Sequence, residues 1–339
     1  MQTFVAVLMW LLVASLLILR RGRAERSITY AAITIAVAMT INVDAVYRSI
    51  DALLGGSNVA TLIGDCALMV GIFFLGRGIM KAGEYQPGPV RVALGPTALL
   101  VALGGVVVAF LLIDRGATTT NFMIDLGAQP AAAAYSMIQF SYYGIVVGTM
   151  AVLASRQYRL SVGLQRLPAG CLVVGSILGV TLCVVVLIMD IAHVAGRVDL
   201  MADVSVAYGP LYILTFLFLC VGLAGQPTVR YLSGRRRAAR TRTLIKDLSP
   251  AWRAATIVRP GLSQTDAASV RTDGVEAQLH RQVVEIRDAM IDPRVSFSLN
   301  ADDRLVLERA EQHLLGSDGA RLHAPVAPAT RPNSQRGAA

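Results

Sequence analysis

The sequence contains very little lysine. Of its 31 basic residues, only Lys81 and Lys246 are lysines, and the others are arginines. Neither lysine lies in the interior of an apolar run, which excludes a Schiff-base photoreceptor. The arginine bias, together with abundant alanine, valine and glycine, indicates a GC-rich genome and therefore concerns the source of the protein more than its activity.

Motifs for catalysis and metal binding are missing as well. All four cysteines lie inside apolar runs, and none forms a Cys-x-x-Cys pair, so neither a disulfide framework nor a zinc site is indicated; they are Cys66, Cys171, Cys183 and Cys220. The sequence has no His-Glu-x-x-His pair, no Gly-x-Ser-x-Gly elbow and no phosphate loop. We therefore expect a protein that is not an enzyme and has no cofactor or metal, with an intramembrane enzyme as the least favoured alternative.

Charged residues are scarce and apolar ones abundant. The 339 residues are 55% hydrophobic and 16% charged, with a mean hydropathy of +0.58, too apolar for a soluble enzyme of this size. The composition changes near Gln226, from long apolar runs to an arginine-rich, polar sequence. We predict four regions: a transmembrane domain over 1–226, a basic juxtamembrane link over 227–243, a cytoplasmic helical domain over 244–316 and a disordered tail over 317–339.

Seven apolar segments are each long enough to cross a bilayer, which takes about 20 helical residues. They cover 3–19, 28–48, 59–80, 92–113, 131–154, 169–189 and 204–225. Arginines follow the first segment and recur in alternate links, so the positive-inside rule predicts an outside N-terminus and an inside C-terminus. The predicted fold class is all-α: a seven-helix bundle in the bacterial plasma membrane, followed by a cytoplasmic helical tail.

Several polar residues interrupt the apolar segments on the side predicted to face outward. A carboxylate at mid-bilayer costs about 2.5–3.5 kcal/mol on insertion scales, so each one needs an explanation. One interpretation is an outer polar pocket for a small ligand or ion, lined by Asn42, Asp44, Arg48, Asp65, Gln139, Tyr142, Asp190, His193 and Tyr208. The alternative is that Asp44 pairs with Arg48 one helical turn away, that Asp65 bonds to a neighbouring helix, and that the others are interfacial.

A basic stretch follows the last apolar segment. Its arginines would attract anionic lipid, at about 1 kcal/mol per charge near the surface; they are Arg235, Arg236, Arg237, Arg240 and Arg242. Aromatic residues do not alternate with them, so nucleic-acid binding is not indicated.

Beyond that stretch the pattern predicts three short helices. Leu244, Leu248 and Trp252 fall four residues apart, in a helix expected to break or bend near Pro250. In the second helix, the apolar seam formed by Leu279, Val283, Ile286 and Met290 steps by four, three and four residues, and Pro293 ends it. A third helix is expected to begin after Asn300 as N-cap and to end at Gly316.

A seam this narrow needs something to pack against. One interpretation is a docking face, made with Trp252, for a cytoplasmic protein or a second copy of the chain. The other is a small intramolecular arrangement of the tail helices.

The stretches "KDLSPAWRAA" and "HRQVVEIRDAMIDPRV" resemble the tail of an actinobacterial family of multi-span membrane proteins described as candidate transporters, whose cytoplasmic domain has no assigned function. The resemblance rests on Leu248, Trp252 and the run from Arg281 to Asp288. It departs from the family pattern at His280 and Gln282, and Pro293 ends the helix early. The resemblance implies a small-solute transporter with a regulatory tail. The residues themselves favour a signal-relay or scaffold protein, in which the bundle is coupled to a cytoplasmic interaction domain.

Overall fold

A computed structural model describes residues 1–19, 27–82, 88–258 and 274–322. Within these ranges 87% of the residues are helical and none is in a strand, which confirms the all-α class. The chain divides into two compact units, Met1–Tyr231 and Leu232–Ala339. The arginines that follow the first predicted span, Arg20, Arg21, Arg23 and Arg26, lie outside the described residues.

Each predicted apolar segment overlaps at least one helix. The helices are α1 (Gln2–Leu19), α2 (Ser27–Ile41), α3 (Asp44–Leu53), α4 (Val59–Ala82), α5 (Gly88–Ala93), α6 (Pro96–Leu111), α7 (Phe122–Leu126), α8 (Pro130–Leu160), α9 (Arg166–Val194), α10 (Val198–Val258), α11 (Val275–Ile291) and α12 (Ala301–Leu322). A 3₁₀ turn, Gly163–Gln165, precedes α9.

Five helices in the described ranges are long and apolar enough to cross a membrane: α1, α4, α8, α9 and α10. The count rises to six if α2 and α3, which are bent by 83° relative to each other, are taken as one broken span. The apolar helix α6 has 16 residues and falls short of a full crossing. The protein therefore has the character of a multi-span membrane protein, while the count of seven and the orientation stay predictions.

The predicted second span is not one continuous helix, which corrects the expected segment 28–48. The helix breaks at Asn42 and Val43, where Val43 has an extended backbone (φ −74°, ψ 125°). Asparagine favours caps and turns over helix interiors, and Asp44 in the first turn of α3 interacts favourably with the dipole of a new helix. The break therefore has a local cause.

Glycines allow the helices of the first unit to approach closely. A Cβ atom on Gly71 of α4 would lie 3.2 Å from the backbone nitrogen of Ile35 in α2. A Cβ on Gly222 of α10 would lie 2.9 Å from the backbone nitrogen of Leu172 in α9. Small residues at such crossings are the usual means of tight packing between membrane helices.

A polar clasp, made of Tyr47, Asp51, Asn58, Thr118 and Thr119, joins the turn before α4 to the loop before α7. The fully buried Asp51 carboxylate accepts hydrogen bonds from the Asn58 backbone N–H (3.0 Å) and the Thr118 hydroxyl (2.6 Å). The buried Asn58 side chain accepts from the Tyr47 hydroxyl (2.9 Å) and the Thr119 N–H (2.8 Å).

The Asn58 amide also donates to the backbone oxygens of Arg115 (2.9 Å) and Ala117 (3.0 Å). Its φ of +61° is the only positive value at a non-glycine residue in the described ranges. Asparagine tolerates this left-handed conformation better than most side chains. The clasp therefore fixes the segment that leads into α7.

The second unit is built from the C-terminal part of α10 together with α11 and α12. Its core contains Leu244, Leu248, Ala251 and Ala255, which form one stripe along α10, packed with residues of the other two helices. The helix is continuous through Pro250, so of the expected break or bend, the break is wrong. A proline inside a helix costs about 3 kcal/mol, and burial of the stripe on both sides of Pro250 offsets that cost.

Two further boundaries differ from the sequence expectation. Residues 227–243, expected as a link, are part of α10, and α12 continues past Gly316 to Leu322. A glycine inside a helix costs only about 1 kcal/mol relative to alanine, so it does not by itself end one. Asn300 does cap α12 as expected, since its side-chain oxygen accepts the Asp303 N–H at 2.6 Å. Residues 323–339 of the predicted disordered tail lie outside the described residues.

Candidate functional site

The apolar seam of α11 is part of the core of its own unit. Leu279 and Ile286 are fully buried and Val283 nearly so, and Met290 packs at the edge of the same cluster. Trp252 packs there too, and its indole N–H donates to the Glu285 carboxylate. The hypothesis of an exposed docking seam is therefore corrected: these side chains bind one another within the unit.

Ionic contacts also hold the second unit together. Arg237 bonds to Glu276 at 2.7 Å, and Arg287 makes two bonds to Glu311, at 2.6 and 2.8 Å. The Arg287 guanidinium lowers the pKa of the Glu311 carboxyl.

His313 lies near the basic residues of α10. Its imidazole is 2.9 Å from the Thr241 hydroxyl, and Arg237 reaches the His313 backbone oxygen at 3.4 Å. Burial of the imidazole lowers its pKa, and the positive charges of Arg237 and Arg240 lower it further. Arg237, one of the arginines expected to attract lipid, is thus engaged in contacts within the unit.

The first unit contains a cavity of about 500 Å³ between its helices. Residues of α1, α2, α4, α7, α8, α9 and the first part of α10 line it. Most of the lining is aliphatic or aromatic. This volume is within the usual range of small-molecule sites, which are concave, mostly apolar and equipped with a few polar groups.

Asp65 of α4 is the principal polar group of the cavity. Its carboxylate accepts a hydrogen bond from the Tyr135 hydroxyl of α8 at 2.6 Å, and Gln139 lies beside it. The Gln139 amide donates to the Tyr143 hydroxyl at 2.8 Å. Among the described residues that line the cavity, Asp65 is the only aspartate, glutamate, lysine, arginine or histidine.

Aromatic rings cover a large part of the cavity wall. The rings of Tyr208 and Tyr212 on α10 are stacked, with centroids 5.7 Å apart, and the Phe216 ring follows at 5.1 Å from Tyr212. On α8, Phe140 and Tyr143 make an edge contact at 5.5 Å. Because these residues recur every three or four positions, each helix presents one aromatic face to the cavity.

Four of the nine residues predicted for the outer pocket line this cavity: Asn42, Asp65, Gln139 and Tyr208. The other five, which are Asp44, Arg48, Tyr142, Asp190 and His193, are not among its lining residues. Asp44 and Arg48 are exposed, and no ion pair joins them in the described part of the chain, so the alternative pairing is wrong too.

The predicted residues of α9 and Tyr142 lie elsewhere in the bundle. His193 packs against the turn before α8, where a Cβ on Gly127 would lie 2.7 Å from its ring nitrogen. Asp190 and Tyr142 are both 5% exposed, and each has a buried oxygen without a hydrogen-bond partner among the described residues.

Sequence reasoning predicted Tyr208 but missed Tyr135, Tyr212 and Phe216 of the aromatic part of the site. Tyr135, Gln139 and Tyr143 are each four residues apart, and so are Tyr208, Tyr212 and Phe216. This helical spacing was a usable signal. Tyrosine and phenylalanine within an apolar run nevertheless do not interrupt its hydropathy pattern, whereas a carboxylate does.

No family model, curated protein or solved structure matches the chain. In the described ranges no group of three or more His, Cys, Asp or Glu side chains is placed to hold a metal ion. Among the described residues, the cavity around Asp65 is the strongest candidate for a functional site.

Proposed function

We propose that the chain is a signal-relay or scaffold protein of the bacterial plasma membrane. In this proposal the bundle binds a small ligand in the cavity around Asp65, and the second unit lies in the cytoplasm and transmits the occupancy of the cavity to a protein partner. The proposal rests on the cavity of about 500 Å³ around Asp65. A carboxylate inside a membrane bundle costs free energy, and ligand binding would explain why the chain has one there.

The arginine pattern supports the cytoplasmic placement of the second unit. Basic residues are concentrated in the links that the rule assigns to the inside, and the α10 segment after the last apolar run is rich in arginine. These residues are Arg77, Lys81 and Arg91 in one link, Arg156, Arg159 and Arg166 in another, and Arg230, Arg235, Arg236, Arg237, Arg240 and Arg242 in α10.

Hydrogen exchange of the full-length protein in nanodiscs tests the relay. Leu68→Trp places an indole in the cavity, whereas Leu100→Trp changes a side chain of α6 that is 67% exposed and does not line the cavity. We expect Leu68→Trp, and not Leu100→Trp, to change amide exchange in α11 and α12. Identical exchange in these helices for both variants and the wild type would overturn the relay.

A transporter is the second candidate, and the break between α2 and α3 favours it. Transporters commonly bind substrates beside discontinuous helices, and Asn42, at the 83° bend, lines the cavity. The resemblance of the tail to a family of candidate transporters points the same way.

Solute flux into proteoliposomes separates the two functions. Flux of any small solute that survives deletion of residues 232–339 but is lost in Asp65→Asn would favour the transporter and count against the relay.

A further inference from the structure

The cavity offers negative charge without a basic side chain to balance it. Asp65 is half-buried, and the described lining contains no lysine, arginine or histidine. The Tyr135 hydroxyl that bonds to the carboxylate is neutral, so it stabilises the anion without cancelling its charge. Charges taken out of water are normally paired, and a cationic ligand would supply the opposite charge that no lining side chain provides.

The aromatic faces favour the same sign of ligand. Seven aromatic residues line the cavity, out of 21 phenylalanines, tyrosines and tryptophans in the chain, so the cavity is strongly enriched in rings. The face of such a ring carries negative electrostatic potential and attracts ammonium groups within about 6 Å. The stacked pair of Tyr208 and Tyr212 and the neighbouring Phe216 extend this surface along α10.

A helix terminus adds to the negative potential. α2 ends at Ile41, and the next residue, Asn42, lines the cavity. The C-terminus of a helix carries about half a negative elementary charge from its unpaired carbonyl groups. The carboxylate, the ring faces and the helix end thus all attract a cation.

The size and the lining of the cavity do not suit a bare metal ion. Metal cations prefer a cage of several oxygen ligands, whereas most of this wall is aliphatic or aromatic. Thr215 is one further polar residue of the lining, and its buried hydroxyl oxygen has no hydrogen-bond partner among the described residues. A ligand that fits has a cationic head, an apolar body and one hydrogen-bonding group.

We propose that the ligand of this cavity is an organic cation, an amine or quaternary ammonium compound, whose charged head binds between Asp65 and the aromatic rings of α8 and α10. The proposal rests on the ligand-binding role proposed above and specifies the class of its ligand.

Competition binding to the full-length protein in nanodiscs tests the class of ligand. The labelled probe is benzyltrimethylammonium, and the competitors are choline and its neutral isostere 3,3-dimethyl-1-butanol, which differ only in the charge of the head group. One contact of the cation with a ring and one with the carboxylate together raise the affinity by at least about tenfold. Choline should therefore compete at roughly tenfold lower concentration than the alcohol.

Variants assign the preference to particular groups. Asp65→Asn should weaken binding of the probe about tenfold or more, and Asp65→Glu should retain the preference for choline. Tyr212→Leu should weaken choline and leave the alcohol unchanged. The matched control is Asp114→Asn, at an exposed carboxylate outside the cavity, which should leave binding unchanged.

Two results would overturn the cationic class. One is equal competition by choline and the alcohol, or stronger competition by phenylacetate, while Leu68→Trp blocks all binding. The cavity would then still be a ligand site, but for another class of ligand. The other is no saturable binding of benzyltrimethylammonium. The exchange experiment on Leu68→Trp uses no ligand, so it still decides the relay independently.

Discussion

Asn58 provides the sharpest test of how the bundle holds its cavity in shape. Asn58→Asp changes hardly any volume, but it replaces the amide group that donates to the Arg115 and Ala117 carbonyls with an oxygen that can only accept. Each carbonyl left unsatisfied costs about 1–3 kcal/mol. The new carboxylate would also repel both carbonyl oxygens and the buried Asp51 carboxylate, whose oxygen lies 3.0 Å from the Asn58 backbone nitrogen.

We therefore expect Asn58→Asp to lower the free energy of unfolding by at least roughly 3 kcal/mol. For a unit of this size, 1 kcal/mol corresponds to about 2–4 °C, so the melting temperature should fall by roughly 6–12 °C. The assay is thermal unfolding of the full-length protein in detergent, followed by intrinsic fluorescence. Probe binding should weaken as well, because the clasp fixes the loop before α7, and α7 lines the cavity.

The matched control is Asn121→Asp, the same chemical change at an exposed position whose side chain makes no capping bond. It should shift stability by less than about 0.5 kcal/mol. Equal melting temperatures for the Asn58 and Asn121 variants would refute the role of the clasp.

Three further substitutions test packing and charge. Ile286→Ala should destabilise the second unit by about 2–5 kcal/mol, measured by its rate of proteolysis, whereas Ile291→Ala, at a site 75% exposed, should have little effect. Gly222→Ala should lower the melting temperature of the bundle, because its Cβ would lie 2.9 Å from a backbone nitrogen of α9, whereas Gly104→Ala, with open space around it, should be neutral or stabilising. The lowered pKa of His313 means that the folded unit prefers the neutral imidazole. Its stabilising contribution is complete above the ordinary pKa of 6.5 and is lost as the pH falls through the folded-state value, so His313→Gln should flatten the loss of α12 exchange protection on acidification.

The sequence was sufficient for the helices because their signals are local. Apolar runs and the 3.6-residue period identify α4, α8 and α9, and Asn300 caps α12 by a contact three residues away. The continuity through Pro250 was missed because it depends on packing that offsets a local preference. The break at Asn42 was missed although its signals, Asn42 and Asp44, are local.

The residues of the site also divide into those that a local signal predicts and those that it does not. Asp65 could be predicted, because a carboxylate in an apolar run is costly wherever the helix packs. Its partner Tyr135 could not, since the two residues are 70 positions apart and meet only through the packing of α4 on α8. Asp44 and Asp65 look alike in sequence, yet only Asp65 faces the cavity.

The α11 seam shows the limit of a single-helix pattern. Its spacing located the buried face of Leu279, Val283 and Ile286, but a period says nothing about whether the covering surface is another chain or the same one. The covering side chains, such as Leu248 and Leu307, come from α10 and α12.

The ligand cavity around Asp65 is tested most directly by cysteine accessibility in a background without native cysteines. Leu68→Cys places a thiol on the cavity wall, and Leu100→Cys places one on an exposed apolar face of α6. We expect that face to contact lipid, which keeps a charged reagent away from the thiol. We expect a cationic methanethiosulfonate to modify Leu68→Cys and not Leu100→Cys, at a rate that falls when Asp65 is changed to Asn and when benzyltrimethylammonium is present. Equal modification of the two thiols, or a rate at Leu68→Cys indifferent to both changes, would contradict a cation-binding cavity at Asp65.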